Sequence, residues 1–393
     1  MRLLWAVVTA LILALLLARA VGARTGHTQL PHGLPPTACC NAAAVRVANT
    51  QVTASGRGTN AARAPGGVQA LAQQVPLPAE QHQSTYSPTV QSMVDAVSAT
   101  LLSQTICRLQ STGQPTYCSE LGTRDSYDTA RLDAASRYLY HEFAALGLSV
   151  TYDPFEWAST PMTNVVAEQP GVGPEGRHVY ILCAHYDSYS NDPNGAAPGA
   201  DDDASGCAAV LEAARILSQH RLTHTLRFVL FAGEEEWMRG SEHYAAEAAE
   251  RGDWIEGVIN LDMIGYESVP PSDHVVEIHA GTRPDSIGLA DALIQCTTAY
   301  DLRLVPEKLT TDAVTYCDQA PFWEHGYAGI LCIEDVQDFN PHYHTADDTL
   351  AHLEVSLVSE FTRATVAVLA ELASAKHAII ARVSLYLPIV LRR

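Results

Sequence analysis

Five short stretches of the chain carry histidine and carboxylate side chains that are able to bind metal ions. Imidazole is a good zinc ligand, and a carboxylate can hold one ion or bridge two. In chain order these residues are His185 and Asp187, Asp201–Asp203, Glu234–Glu236, Asp262, and His344. The set predicts a centre for divalent metal ions.

Most of these polar stretches follow an apolar run that is rich in β-forming residues. His185 follows residues 179–184, and Glu234 comes just after 226–232. Asp262 lies within an apolar strand, where an unpaired carboxylate would be costly, so a metal partner is expected. Ligands of an open α/β sheet collect at the carboxyl ends of its parallel strands. The polar stretches are therefore expected to meet at one edge of a sheet.

Apolar runs typical of strands alternate with segments of helical spacing along much of the chain. The predicted strands cover 149–157, 163–168, 178–184, 225–232, 257–264, 274–280 and 328–333. The predicted helices cover 90–109, 128–146, 204–219, 241–250, 284–299 and 354–376. This alternation predicts an α/β fold, with a mostly parallel mixed sheet flanked by helices on both faces.

Composition divides the chain into four parts. Residues 1–23 have a positively charged second residue, an apolar run and small residues for cleavage, which is typical of a signal peptide. Residues 24–85 are rich in Ala, Gly, Pro, Gln and Thr and are predicted to be a low-complexity linker or propeptide. The metal-binding domain is predicted over 86–376, and 377–393 form an apolar extension. The signal predicts a secreted or extracytoplasmic protein, periplasmic or extracellular.

Charge and cysteine content limit the partners and the kind of site. The net charge of −20 argues against nucleic acid or an anionic membrane as a partner. Membrane contact is expected only through the termini, because 377–393 is too short for a simple spanning helix. None of the nine cysteines forms a CxxC pair, so a cysteine zinc site is not expected. Cys107 and Cys118 flank a short loop and are expected to bridge in an exported protein.

Taken together, the five stretches resemble the motifs of the M28 family of zinc peptidases, which includes secreted bacterial aminopeptidases. The likeness extends over about residues 86–376 and is strongest over 178–349. The segments that carry it are Ala184–Ser188, Pro198–Gly206, Gly233–Ser241, Asn260–Gly265 and Tyr343–Thr349. One such motif is a weak signal, whereas five in order are specific. The resemblance implies a zinc-exopeptidase-like fold and two Zn2+ ions per chain.

The resemblance also assigns roles to residues. The metal ligands that it implies are His185, Asp202, Glu235, Asp262 and His344. Within that set, Asp202 matches the carboxylate that bridges the two ions. Glu234 matches the general base, and Asp187 matches the acid that orients the ring of His185.

Several neighbours of these residues have other predicted roles or depart from the family pattern. Asp203 is predicted to cap the helix that follows it, and Glu236 to face solvent. His342 is predicted to be a loop residue. Trp237 stands where the family usually has Gly, so it is expected to narrow the site or to pack beneath it. Cys317–Gln319 stand where many members read Ser-Asp-His, which weakens a role for the third position.

These features predict a metal-dependent exopeptidase, and in particular an aminopeptidase that hydrolyses the N-terminal residues of peptides or proteins. A hydroxide held between the zinc ions would attack the peptide carbonyl, with Glu234 as general base.

Three other functions fit part of the pattern. A glutaminyl-peptide cyclotransferase of the same superfamily would use one zinc and commonly carries an insertion after the Glu-Glu pair. This chain continues there with Arg239-Gly240-Ser241, which favours hydrolysis. A carboxypeptidase would need a basic pocket for the substrate carboxylate. A catalytically silent binding ectodomain would have lost a ligand or the base, whereas all of them are retained here.

Overall fold

The computed structural model describes residues 86–111, 122–192, 195–268 and 273–374. The predicted signal peptide (1–23), linker (24–85) and apolar extension (377–393) lie outside the described residues. Cys107 takes part in a disulfide bond, but Cys118, its predicted partner, also lies outside them.

Eight α-helices and eight strands form the described fold. The helices are α1 (Pro88–Asp95), α2 (Ala99–Gln110), α3 (Thr129–Ala145), α4 (Ala204–Leu217), α5 (Arg239–Arg251), α6 (Pro284–Ala299), α7 (Gln319–Glu324) and α8 (Val355–Ser374). The strands are β1 (Ser149–Trp157), β2 (Thr160–Gln169), β3 (His178–His185), β4 (Thr225–Phe231), β5 (Trp254–Leu261), β6 (Val275–His279), β7 (Val305–Leu309) and β8 (Gly329–Glu334). Short 3-10 turns cover Pro174–Arg177, Val336–Asp338 and Leu350–His352.

The strands form one mixed sheet in the order β1-β2-β4-β3-β5-β8-β6-β7. The four central strands β4, β3, β5 and β8 are parallel to one another, and β6 is parallel to β7. Antiparallel pairs join β1 to β2, β2 to β4, and β6 to β8. The predicted α/β fold with a mostly parallel mixed sheet is therefore confirmed.

The sheet is covered by helices on both faces because its central strands are apolar on both sides. In β3, Leu182 belongs to a large core that includes Phe361 of α8, and Ile181 belongs to a smaller core with Tyr244 of α5. Successive side chains of a strand point to opposite faces, which explains this division. Helices α5 and α7 lie over the smaller core, and the other helices lie over the larger one.

The predicted helix over 90–109 is wrong in one respect, because the chain forms two helices there. The break falls between Asp95 and Ala99. Ser98 has an extended backbone, and its side chain accepts a hydrogen bond from the N–H of Leu101, so it caps α2. Its own N–H donates to Glu212 in α4 at 2.8 Å. This tertiary contact overrides the helical spacing of the apolar residues.

Two further boundaries differ from the prediction. Strand β5 ends at Leu261, so Asp262 lies directly after the strand and not inside it. It therefore shares the carboxyl edge of the sheet with the residue that ends β3, His185. Between the predicted helix 284–299 and the predicted strand 328–333, where no strand was predicted, the chain forms β7, which pairs in parallel with β6.

Within the described ranges, no helix has both the length and the apolar character that a membrane span requires. Among the cysteines of the same ranges, Cys183, Cys207 and Cys332 are buried free thiols.

Candidate metal centre

His185 ends β3, and its side chain is buried. Its Nε2 lies 3.0 Å from Oδ1 of Asp202 and 3.7 Å from Oδ1 of Asp262. All three side chains are buried, and each offers one ligand atom within 4.8 Å of the others. These residues form the first donor group of the candidate centre.

A second donor group surrounds His344, which lies in the loop after β8. Its Nε2 lies 3.1 Å from Oδ2 of Asp202 and 3.0 Å from Oε2 of Glu235. The three ligand atoms again lie within 4.8 Å of one another. Asp202 thus belongs to both groups and presents one oxygen to each histidine.

The donor atoms are arranged to bind metal ions and not to hydrogen-bond to one another. Both ring nitrogens of His185 and His344 are buried without a hydrogen-bond partner, and so is Oε1 of Glu235. Unsatisfied buried polar atoms are rare in folded proteins because each one costs free energy. Around a tetrahedral zinc ion, neighbouring ligand atoms are about 3.3–3.5 Å apart. The distances of 3.0–3.7 Å within the two groups are close to that spacing.

The ionisation of these groups reflects their burial and their mutual charges. Burial acts to lower the pKa of His344, but the carboxylates of Glu235 and Asp202 raise it to about 10. Burial acts to raise the pKa of Asp202, but His185 and His344 lower it below its ordinary range. Burial raises the pKa of Glu235 to about 7. Protons on the imidazoles thus balance the carboxylates, and bound cations would replace those protons.

Glu234 lies beside the two groups in the turn after β4. Its side chain is buried, and its Oε1 has no hydrogen-bond partner. Burial raises the pKa of Glu234 well above its ordinary value, and the charges of Asp262 and Asp318 act in the same direction. A carboxyl group with a raised pKa is suited to accept a proton and to return it.

The carboxylate of Asp187 binds the backbone of the turn that carries Glu234. Its Oδ1 accepts a hydrogen bond from the N–H of Glu234, and its Oδ2 accepts one from the N–H of Glu235, each at 3.2 Å. Ser126 donates to the same carboxylate through its hydroxyl at 3.1 Å. The distance from Oδ1 to Nδ1 of His185 is 3.6 Å, which is too long for a hydrogen bond. The carboxylate is therefore close to the ring but binds the turn that carries the candidate base.

The three consecutive aspartates have three different environments. Asp203 accepts a hydrogen bond from the N–H of Gly206, so it caps α4 as predicted. Its other oxygen accepts from the N–H of His185. Asp201 points away from the donor groups and accepts from the N–H of Gly265 and from the side chain of Asn340. Only the middle residue of the three belongs to the donor groups.

Two positioning residues were not identified from the sequence. Oδ1 of Asp348 accepts from the N–H of Asp201, and Oδ2 accepts from the N–H of Asp202. Asp348 lies in the segment Tyr343–Thr349, which contains His344. Its membership of that segment was the one feature of the sequence that could have indicated its role. The acceptors of both hydrogen bonds are buried. Asp348 therefore fixes the backbone of the shared ligand.

The other positioning residue is Arg124, which is fully buried. Its guanidinium donates to four backbone carbonyls, those of Leu109, Tyr186, Pro198 and Gly199. Gly199 has a φ of +49°, and a Cβ there would lie 2.3 Å from the carbonyl oxygen of Asp202. Arg124 thus ties the end of α2 to both ends of the segment between β3 and α4, next to His185 and Asp202. A single arginine between polar residues gave no signal of this role.

The segment that departs from the family pattern lies next to the centre. Asp318 is buried, and Ser241 of α5 donates to its Oδ1 at 2.5 Å. Burial raises the pKa of Asp318 to about 7. Gln319 stands at the third position and donates to the carbonyl of Val314 at 3.0 Å. The third position thus has a contact in the local fold.

Aromatic side chains lie at the rim of the centre. The ring of Tyr189 packs edge-on against His344, with 4.8 Å between centroids. Glu236 is half-buried, and the hydroxyl of Tyr127 donates to it at 3.0 Å. Trp237 is 42% exposed, which excludes packing beneath the site and leaves narrowing of the site as its predicted role. His342 stacks on His352 at 3.9 Å and is not among the donor groups.

Comparison with known proteins identifies the family of the chain. The model of peptidase family M28 matches residues 164–369. Leucine aminopeptidase 1 of Trichophyton equinum is 29% identical over 221 residues, which cover 53% of this chain and 58% of that protein. The chain therefore spans little more than half the length of this curated relative.

Solved structures show the same fold. The LapA aminopeptidase of Legionella pneumophila matches with a TM-score of 0.63 at 21% identity, over 79% of this chain and 78% of its own. A glutaminyl cyclase of Porphyromonas gingivalis matches with a TM-score of 0.59 at 23% identity, over 71% of this chain and 99% of its own. Since the family model covers more than half of the 393 residues, the chain belongs to peptidase family M28.

Proposed function

We propose that the protein is an aminopeptidase that uses two zinc ions. His185, Asp202 and Asp262 would hold one ion, and Asp202, Glu235 and His344 would hold the other. The observation that carries the proposal is the position of Asp202, whose two oxygens lie 3.0 Å and 3.1 Å from two different imidazole nitrogens. A carboxylate with one oxygen toward each donor group is the arrangement expected of a bridging ligand.

The bound ions would supply Lewis acidity, polarising the scissile carbonyl and lowering the pKa of a nearby water. Glu234 would take a proton from the attacking water while the oxygen of that water forms a bond to the carbonyl carbon. As the carbon–nitrogen bond breaks, Glu234 would give the proton to the leaving amine. Asp187 would keep Glu234 in place, because its carboxylate binds the backbone N–H of Glu234. The side chain of Glu234 would stay free to react.

The substrates would be the free amino termini of peptides or proteins. Carboxylates predominate around the donor groups, and they would attract an ammonium group and repel a substrate carboxylate. Arg124 gives its donors to backbone carbonyls, and Arg239 pairs with Glu242 and lies over the ring of Trp157. Neither provides the basic pocket that a carboxypeptidase would need. The name of the relative from Trichophyton equinum points the same way.

The test is to measure metal and turnover together on the purified chain. Zinc per chain would be determined by elemental analysis, and hydrolysis would be followed with aminoacyl anilides before and after a chelator. We expect about two zinc ions per chain and hydrolysis that stops with the chelator and returns with zinc. Zinc binding without hydrolysis of any anilide would contradict the proposal and favour a binding ectodomain.

A glutaminyl-peptide cyclotransferase is the second candidate, because the fold matches almost the whole of the cyclase from Porphyromonas gingivalis. The same measurements with a glutaminyl peptide distinguish the two activities. One zinc per chain with cyclisation of N-terminal glutamine would favour the cyclase. Helix α5 begins at Arg239, only a few residues after Glu234–Glu236, so there is no insertion at that point.

We further propose that the protein is exported, on the basis of the signal-like residues 1–23. The disulfide bond of Cys107 supports an oxidising compartment. N-terminal sequencing of protein recovered outside the cytoplasm would test this. The expected start is just after Ala20 or Ala23, whereas an uncleaved Met1 in the cytoplasmic fraction would contradict export.

A further inference from the structure

Another group of metal-ligating side chains lies outside the two donor groups of the candidate centre, which is called the M28 centre from here on. It shares no residue with that centre. Asp153 comes from β1, and His243 and Glu247 lie one turn apart on α5. Each offers one ligand atom within 4.8 Å of the others. We propose that Asp153, His243 and Glu247 bind a third divalent transition-metal ion, of which zinc is the representative.

The spacing of the ligand atoms suits such an ion. Nε2 of His243 lies 3.3 Å from Oδ1 of Asp153 and 3.6 Å from Oε1 of Glu247. Neighbouring ligand atoms of a tetrahedral zinc ion are about 3.3–3.5 Å apart. The two distances also fall within the 3.0–3.7 Å found in the M28 centre. One imidazole and two carboxylates are a donor set that zinc accepts.

The histidine nitrogen at the middle of this group is not satisfied by the protein. Nε2 of His243 is buried and has no hydrogen-bond partner, although two carboxylates are close. A simple ion pair would aim the N–H of the ring at one carboxylate oxygen. Here neither oxygen lies in that direction at hydrogen-bonding distance. A metal ion placed between the three atoms would satisfy the nitrogen and both carboxylates.

Each of the three side chains is held by a contact that leaves its ligand atom free for the ion. Asn164 donates to the other oxygen of Asp153 at 2.9 Å. Phe155 stacks on the ring of His243 at 5.4 Å between centroids. Arg251 donates to the other oxygen of Glu247 at 3.0 Å. Outer partners of this kind orient the ligands of metal sites.

The group is also open enough for an ion to enter. The side chains of Asp153, His243 and Glu247 are 18%, 25% and 47% exposed. Water would complete the coordination, and the two carboxylates would balance the charge of a divalent ion. An ion here would join edge strand β1 to α5, the helix that follows the turn of Glu234. We therefore expect it to stabilise the fold without taking part in the reaction.

The experiment compares zinc content and thermal stability among four forms of the untagged full-length chain. These are the wild type, His243→Gln, Glu247→Gln and the control Glu250→Gln. Glu250 is exposed on the same helix and is not part of the group, so its change removes the same charge. Each form is stripped with a chelator, saturated with zinc and dialysed. We expect the wild type and Glu250→Gln to retain one more zinc per chain than the other two.

The addition of zinc should also raise the melting temperature further for the wild type and Glu250→Gln than for His243→Gln and Glu247→Gln. Equal zinc content in all four forms would overturn the proposal and leave an ordinary charge cluster. Equal loss from Glu250→Gln and Glu247→Gln would overturn it too, because it would indicate nonspecific binding to acidic side chains. Glu247 is largely exposed, so its substitution keeps the test informative even where His243→Gln fails to fold. The readout does not depend on peptidase activity.

Discussion

Oδ1 of Asp187 accepts a hydrogen bond from the backbone N–H of Glu234 at 3.2 Å. The loop after β3 is thereby fastened to the turn after β4, and these two segments carry the candidate ligand Asp202 and the candidate base Glu234. The bond needs no metal ion, so the turn is held in position before an ion arrives.

The substitution Asp187→Asn should lower turnover by about 10–100-fold, which is the usual effect of disturbing an outer partner of a metal site. An amide offers only one acceptor oxygen, so one of the two backbone N–H groups would lose its acceptor. Steady-state kinetics on zinc-saturated protein would measure the effect. Ser126→Ala removes one donor but keeps both backbone bonds, so it should cost less. A larger loss for Ser126→Ala would contradict the proposed role.

The substitution Glu234→Gln should lower kcat by about 100-fold to 10,000-fold, because an amide cannot accept the proton of the attacking water. Zinc content should stay close to that of the wild type, since Glu234 is the proposed base and not a ligand. Glu236→Gln is the matched control, because that half-buried neighbour is bound to Tyr127. Near-normal activity of Glu234→Gln would show that another residue is the base.

Substitutions of Asp348 and its neighbour Asp347 would test whether the hydrogen bonds to the backbone of Asp202 support zinc binding. Asp348→Asn should weaken zinc binding by about 10–100-fold, because its two oxygens accept the N–H groups of Asp201 and Asp202. Asp347 is exposed, so Asp347→Asn should leave binding unchanged. Competition with a zinc chelator would measure both affinities. Equal effects would indicate that only the net charge matters.

Zinc affinity should fall as the pH falls. In the metal-free protein, neighbouring carboxylates raise the pKa of His344 to about 10, against the effect of burial, and burial raises that of Glu235 to about 7. Zinc must displace the proton of His344 below about pH 10 and also that of Glu235 below about pH 7. The apparent affinity should therefore change about tenfold per pH unit for each displaced proton, and more steeply below pH 7.

Titration calorimetry in buffers of different ionisation enthalpy would count the protons that zinc binding releases. The expected result is release of at least one proton near neutral pH. Binding without proton release would show that the imidazoles are already neutral in the metal-free chain.

Trp237 has a φ of +71°, in the left-handed region that favours glycine. This conformation explains why glycine is usual at that position in the family. A side chain there costs about 1–2 kcal/mol. Trp237→Gly should therefore be more stable than Trp237→Ala by about 1 kcal/mol, because both remove the exposed ring and only glycine relieves the backbone. Urea unfolding would measure the difference, and equal midpoints would contradict the explanation.

Local patterns predicted much of the fold. The continuous apolar run of β3 and the helical spacing of the apolar residues in α3 are properties of short segments, so they could be read from the chain. The residues of the candidate centre could be predicted to lie close together because several polar side chains followed apolar runs. In each case the signal lay within a few residues of the feature.

Features that depend on distant contacts could not be predicted. Arg124 has its role only because four carbonyls from three segments converge on it. The break before Ser98 depends on Glu212, more than a hundred residues away. Asp262 appeared to lie inside a strand because Met263 and Ile264 are also apolar. Nothing in a short window shows that these two residues follow the end of β5.

The double use of Asp202 means that the two donor groups are thermodynamically linked. With two ions bound as proposed, the first would fix the carboxylate for the second and would also draw on its negative charge. The first effect favours cooperative loading, and the second opposes it. Whatever their balance, occupancy of one position must change the affinity of the other by the same factor in both directions. Exchange of one ion for another metal would therefore alter how tightly its neighbour is held, so mixed-metal forms would not combine two independent affinities.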